Sequence, residues 1–259
     1  MTKKKRPLIL VTNDDGVSAP GIRALIEVAK RLGDVVVVAP DSPQSGMGHA
    51  ITVNNTIYCD KVDLSDPSVQ IYSSSGTPVD CVKLAMSKIL DRKPDLCISG
   101  INHGSNSSIN VIYSGTMSAA VEAGTLGVPA IGFSLLDGSL EANFEPSKKY
   151  VEALCKQALL HGMPKDTVLN VNIPKLPEEE IKGVKVCRQA NAKWKESFEK
   201  RTNPNGREYY WLTGNFVNLD SGKDTDEWAL ANGYVSVVPV QFDLTAYTAL
   251  EAIGKWELP

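Results

Sequence analysis

Residues 8–40, LILVTNDDGVSAPGIRALIEVAKRLGDVVVVAP, divide into three pieces. Leu8-Ile9-Leu10-Val11 is a continuous apolar run that stops at Asn13-Asp14-Asp15-Gly16. Alternate side chains of a strand point to opposite faces, so an unbroken apolar run marks a strand covered on both sides. Pro20 then opens a segment to Leu32 in which Ile22, Leu25, Ile26 and Ala29 recur at helical spacing. Val35 to Val38 is a second apolar run, stopped by Pro40. Strand, helix, strand with both strands buried is the parallel βαβ unit. It predicts a doubly wound sheet with its site at the strands' C-terminal ends.

The alternation continues along the chain. Helices are expected over 79–90, 114–126 and 147–160, and strands over 96–98, 130–133 and 168–171. Residues 51–73 read as short extended segments, which predicts a mixed sheet there. After Cys187 the character changes: Asn203-Pro204-Asn205-Gly206 lies between extended segments containing Trp194, Tyr209, Tyr210 and Trp211. Asn-Gly in that setting is a hairpin signal. So long an excursion is uncommon inside a compact domain and is expected to protrude towards a partner subunit. Tyr234 to Val240 reads as a strand and Ala246 to Trp256 as a final helix. The expected fold is α/β: a three-layer αβα, doubly wound (Rossmann-like), mostly parallel sheet with a protruding β-hairpin and a C-terminal arm. The expected division is 1–187 as catalytic core, 188–233 as protruding hairpin and oligomerisation segment, and 234–259 as a C-terminal strand and helix, open to exchange between subunits.

Of the 259 residues, 42% are hydrophobic and 22% charged, with a formal net charge of -3, an ordinary globular balance. No global positive field is present to hold a nucleic-acid duplex. A small anion remains accessible to such a chain, because a bound metal can reverse the field locally. The five cysteines are odd in number and no two have C-x-x-C spacing, which argues against a disulfide framework or a cysteine zinc site. Lys3, Lys4, Lys5 and Arg6 precede the first apolar run, but that run is too short for a secretory h-region. No stretch approaches the ~18 apolar residues of a membrane span. A reducing, cytoplasmic location is expected.

Four polar clusters fall at element ends. Asp14 and Asp15 can converge only if the backbone turns, which Gly16 permits, and two close carboxylates call for a divalent cation. The competing reading is a plain Asp-Gly turn. Pro40-Asp41-Ser42-Pro43-Gln44-Ser45-Gly46 follows the second strand and by itself reads as an ordinary polar loop. Ser99-Gly100-Ile101-Asn102-His103-Gly104-Ser105-Asn106 offers amide oxygens as ligands or simply turn chemistry. Tyr113-Ser114-Gly115-Thr116 opens a helix: Ser114 is a natural N-cap, and the free amides there form an anion cradle. An all-oxygen set of this kind selects Mg²⁺, Mn²⁺ or Ca²⁺ over zinc.

With Asn13-Asp14-Asp15-Gly16, Ala19-Pro20-Gly21, Ala39-Pro40-Asp41, Gln44-Ser45-Gly46, Gly76-Thr77-Pro78, Ser99-Gly100-Ile101-Asn102, Tyr113-Ser114-Gly115-Thr116, Asn170-Val171-Asn172-Ile173-Pro174 and Asp243-Leu244-Thr245-Ala246 in order, the chain resembles the SurE family, stationary-phase survival proteins that are nucleotidases. The resemblance implies one divalent metal ion per subunit, Mg²⁺ or Mn²⁺, held by Asp14, Asp15, Ser45 and Asn102. It implies hydrolysis of nucleoside 5′- and 3′-monophosphates, sometimes with polyphosphate as a second substrate. It also implies a homodimer or homotetramer in which hairpin and C-terminal arm are exchanged. Two departures stand out: the family loop commonly has glycine and aspartate where this chain has Ser108 and Asn110.

On this reading Asp14, Asp15 and Asn102 are catalytic, and Asn13, Asn106, Ser114, Gly115 and Thr116 hold the phosphate. Attack by metal-activated water is expected, with an aspartyl-phosphate on Asp14 or Asp15 as the minority route. The alternative is a non-catalytic metal- or nucleotide-binding regulator. A receiver domain would need an aspartate where Asn102 stands, and a haloacid-dehalogenase phosphatase would need D-x-D. His49 and His103 read as donors or solvated loop residues, since no G-x-S-x-G elbow is present, and His161 as a helix-end residue. Trp194, Tyr209 and Trp211 read as oligomer packing, with base stacking the rarer fate.

Overall fold

The computed structural model describes residues 5–63 and 68–258. Lys3, Lys4, residues 64–67 of the expected extended segment, and Pro259 lie outside the described residues. The opening unit is as the periodicity predicts: strand β1 (Leu8–Thr12), helix α1 (Pro20–Leu32) and strand β2 (Asp34–Pro40). Then come β3 (Cys59–Val62) and β4 (Val69–Ser74), helix α2 (Pro78–Leu84), and β5 (Leu96–His103). Helix α3 (Gly115–Thr125), β6 (Ala130–Leu135), α4 (Glu145–His161) and β7 (Thr167–Ile173) continue the alternation. The end of the chain supplies β8 (Val184–Val186), β9 (Ala192–Thr202), β10 (Glu208–Asn218), α5 (Asp226–Ala231), β11 (Val235–Gln241) and α6 (Tyr247–Ile253).

Nine strands form one sheet in the order β3-β4-β2-β1-β5-β6-β7-β11-β8. The strands from β4 through β2, β1, β5 and β6 to β7 are mutually parallel. Strands β3 and β11 run antiparallel to β4 and β7, so the sheet is mixed at both flanks. Consecutive residues of β1 show why it is buried on both sides. Ile9 and Val11 join a core with α1 and α4 (Ile22, Leu25, Val28, Val151, Cys155), whereas Leu10 joins a second core with α2 and α3 (Val82, Met117, Ala120). The result is a helix–sheet–helix sandwich with β1 and β5 near its centre.

One difference from the sequence reading is local. The helix expected over 79–90 is α-helical only to Leu84, and a π-turn over Ala85–Ile89 completes it. Helix α2 starts on a full capping box: Thr77 accepts from the Asp80 N–H while Asp80 accepts from the Thr77 N–H. The strand read over Tyr234 to Val240 is β11, which lies inside the main sheet, hydrogen-bonded to β7 and β8. Strands β9 and β10 form a separate two-stranded ribbon closed by Asn203–Arg207, with Gly206 in the left-handed region at φ 78°. Among the described residues no helix is long and apolar enough to cross a membrane.

Helix α1 lies so close to the end of β5 that a Cβ on Gly21 would stand 1.9 Å from the Ile101 carbonyl oxygen. A backbone atom cannot rotate away, so Gly21→Ala is expected to destabilise the fold by about 3 kcal/mol. Urea denaturation checks this, and an unchanged midpoint would refute it.

Candidate active site

The central position of β1 and β5 brings their two polar C-terminal ends side by side, with Thr12 paired to Ser99 in register. Beyond Thr12 the chain turns. Gly16 takes φ 103°, and the Asn13 side-chain amide donates to the Gly16 carbonyl at 2.9 Å. This turn sends Asp14 and Asp15 to different partners. Asp14 is 4% exposed and packs against the first turn of α3, where the Thr116 hydroxyl donates to Oδ1. A side chain on Gly115 would collide with Asp14, its Cβ 2.7 Å from Asp14 Cβ, so glycine is required for the approach. The Asp15 carboxylate turns towards β5. It accepts from the His103 backbone N–H at 3.2 Å and lies 3.0 Å from ring Nδ1, which therefore carries the hydrogen. The His103 and Phe144 rings meet in a T-shaped contact, centroids 4.9 Å apart.

Burial, first of all, pushes the Asp14 carboxyl up to about 6; the Thr116 hydroxyl opposes the shift and the Asp15 charge adds to it. Asn102 faces the same space. Its amide N–H₂ donates to the carbonyls of His103 (3.2 Å) and Gly104 (2.9 Å), which fixes the flip and leaves Oδ1 as an available acceptor. The loop carrying Ser45 is held from both sides. The Gln44 N–H donates to the Asp14 carbonyl (2.8 Å) and the Gly48 N–H to the Tyr113 carbonyl (3.1 Å). Asp14, Ser45, Asn102, Asn106, Asn110 and Ser114 line one cleft of about 190 Å³.

The structure therefore gathers Asp14, Ser45, Asn102, Asn106 and Ser114, with Asp15 one residue beyond and Gly115 against Asp14. Two expected phosphate ligands are placed otherwise. The Thr116 hydroxyl is fully buried and spent on Asp14, because the carboxylate itself fills the first turn of α3. Asn13 is buried beneath the turn it closes, with Oδ1 lacking a partner. Ser114 is the N-cap of α3 and accepts from the Met117 N–H at 3.0 Å.

Sequence reasoning missed the supports of the Asn102–Ser108 loop. Asn172 Oδ1 accepts from the Asn106 N–H, the Asn170 amide donates to the Asn106 carbonyl, and the Asn106 amide donates to Ser134 Oγ, each at 2.8 Å. The readable signal was Asn170-Val171-Asn172 on a strand, which puts both amides on one face. From the other side the Ser107 hydroxyl donates to Glu227, and the Ser108 N–H donates to Asp226 at 2.7 Å. Ser108 itself has φ 52°, a conformation in which glycine is the unstrained choice. The role of His103 as the partner of Asp15 was also missed.

Among the described residues no group of three His, Cys, Asp or Glu side chains is arranged to hold a metal. The donor set is two carboxylates plus neutral Ser and Asn oxygens, and this fits a hard divalent cation. A buried carboxylate with its proton affinity raised is a group that gains from a cation beside it.

The folded cation-free chain binds the Asp14 proton more tightly than the unfolded chain between 3.8 and about 6. Its stability therefore falls as pH rises through that window. Asp14→Asn removes the buried charge. In EDTA the variant is expected to be about 1–3 kcal/mol more stable than the parent at pH 8, a difference that shrinks towards pH 4. Urea titrations at both pH values test this; a variant weaker than the parent at pH 8 contradicts it.

A profile of the family described as "Survival protein SurE" matches residues 9–196. A Christiangramia forsetii protein named 5′-nucleotidase SurE is 69% identical over 256 residues, covering 98% of each chain. Its namesake from Flavobacterium psychrophilum is 64% identical over 253 residues, again covering 98% of each. The crystal structure of the SurE protein from Aquifex aeolicus superposes with a TM-score of 0.82 at 44% identity, covering 95% of this chain and 98% of that one. With a family profile spanning most of the core, full-length relatives and a shared fold, the chain belongs to the SurE family.

Proposed function

We propose that this chain is a divalent-metal-dependent 5′-nucleotidase that hydrolyses nucleoside monophosphates to nucleoside and phosphate. The observation that carries the reading is one cleft in which Asp14, Ser45 and Asn102 meet the capped tip of α3. The names of the relatives support the substrate class. Asp14, Asp15, Ser45 and Asn102 would hold one Mg²⁺ or Mn²⁺, which supplies charge neutralisation and polarises a phosphoryl oxygen when bound.

The chain's own groups do the rest. Asn106, Ser114 and the Gly115 N–H position the phosphoryl oxygens at the positive end of α3. His103 holds the Asp15 carboxylate from one side, and Thr116 holds Asp14 from the other. Phosphoryl transfer depends mainly on such positioning and charge stabilisation. Water adds its oxygen to phosphorus, the bond to the ribose oxygen breaks, and the nucleoside leaves protonated. The 3′-monophosphates and short polyphosphate are further substrates on this reading. A homodimer or homotetramer is supported by the exposed Phe198, Tyr210 and Trp211 of the ribbon, and a cytoplasmic location by five free thiols.

Phosphate release from 5′- and 3′-nucleoside monophosphates is the test. Activity in Mn²⁺ that EDTA abolishes is expected, and Asp15→Asn should lower kcat/KM at least 100-fold while leaving the thermal transition cooperative. Turnover by Asp15→Asn close to the parent value at saturating Mn²⁺ would remove Asp15 from the site.

A further inference from the structure

The catalytic cleft does not end at Tyr113. A second cavity of about 630 Å³ is lined by Gly46, Tyr113, Trp194, Glu196, Leu212 and Gly214, and it shares Gly46 and Tyr113 with the cleft. We infer that this cavity is the nucleoside subsite, with the base seated against Trp194 and Tyr113. The inference rests on the nucleotidase reading and specifies how the substrate is recognised.

Four observations carry it. First, Tyr113 immediately precedes Ser114, the N-cap of the helix assigned to phosphate, so the two cavities adjoin as phosphate and nucleoside do. Second, Trp194 is held in place. Its indole N–H donates to Asn110 Oδ1 at 2.8 Å, and its ring makes a T-shaped contact with Phe216, centroids 5.6 Å apart. Asn110 also lines the catalytic cleft, so one side chain fixes the aromatic wall relative to the reacting centre. A held indole with 42% of its surface still exposed is a stacking platform that loses little freedom on binding.

Third, the strand register makes the cavity. Trp194 lies opposite Phe216 and Glu196 opposite Gly214, which puts Trp194, Glu196, Leu212, Gly214 and Phe216 on one face of the ribbon. Gly214 lines the cavity with backbone alone, and a Cβ there would stand 2.8 Å from the Lys195 carbonyl oxygen. Fourth, the only charge among the lining residues named is the Glu196 carboxylate. It repels a phosphate and accepts hydrogen bonds, which suits ribose hydroxyls or an exocyclic amine. The volume is that of an ordinary small-ligand site.

The test compares AMP with ribose 5-phosphate, which carries the same phosphate and sugar without a base. Trp194→Ala is expected to lower the ratio of kcat/KM for AMP over ribose 5-phosphate about tenfold, the order expected for one lost stacking contact, and Trp194→Phe to restore most of it. Equal loss on both substrates, as from an altered oligomer detected by size-exclusion chromatography, overturns the assignment. Calorimetric titration with adenosine keeps the question separate from turnover. If the wild type releases phosphate from neither ester, the nucleotidase reading fails, while adenosine binding that Trp194→Ala abolishes still supports the subsite. Adenosine binding that is absent in the wild type, or unchanged in the variant, refutes it.

Discussion

Two carboxylates placed next to each other at the end of a buried strand are the constraint around which the rest is arranged. Asp14 has almost no water to solvate it, and Asp15 adds a like charge beside it. The chain answers in three ways. The turn at Gly16 aims the two side chains at different neighbours. The first turn of α3 gives Asp14 a hydroxyl and the favourable end of a helix dipole, and β5 gives Asp15 an imidazole and a backbone N–H. What remains uncompensated faces the cleft, where the neutral oxygens of Ser45 and Asn102 complete a set suited to a hard cation.

That arrangement is possible only because the sheet is wound as it is. Strands β1 and β5 must be neighbours for residues about ninety positions apart to touch, and α1 must ride close over β5, which the absent side chain at Gly21 allows. The asparagines of β7 then hold the loop after β5 from a strand two places away in the sheet. Hydrogen bonds to backbone amides and carbonyls do this work, so the loop's shape is set by the scaffold rather than by its own packing.

The fold was legible because period carries it. Apolar runs at β1 and β2 and the spacing of Ile22, Leu25, Ile26 and Ala29 need no partner to be recognised. Asp14 and Asp15 stood out by position alone. Ser45 and Asn102 were less plain: the Ser45 loop by itself reads as ordinary polar loop, the Asn102 loop reads equally as amide ligands or turn chemistry, and the resemblance singled both residues out. The assignments of Thr116 and Asn13 to phosphate ran ahead of the geometry for one reason. A helix tip looks free in sequence, and nothing local shows that a carboxylate 102 residues away will fill it. The same long-range character hid His103, Asn170, Asn172 and Asp226, whose partners are brought to them by topology. Asn110 was visible only as a departure from the family pattern, and its bond to Trp194 gives that departure a physical meaning.

The clasp of the Asn102–Ser108 loop by Asp226 and Glu227 has a consequence for how the protein is made. A ribosome delivers Asp14 and Asp15 early, and the residues that brace the loop follow more than two hundred positions later. Strand β11, which seats between β7 and β8, emerges later still. Until Asp226 and Glu227 have been made, a nascent chain lacks the partners of Ser108 and Ser107. The site's full geometry thus waits for residues made long after the acids themselves, both the braces of the loop and the strand that seats beside β7.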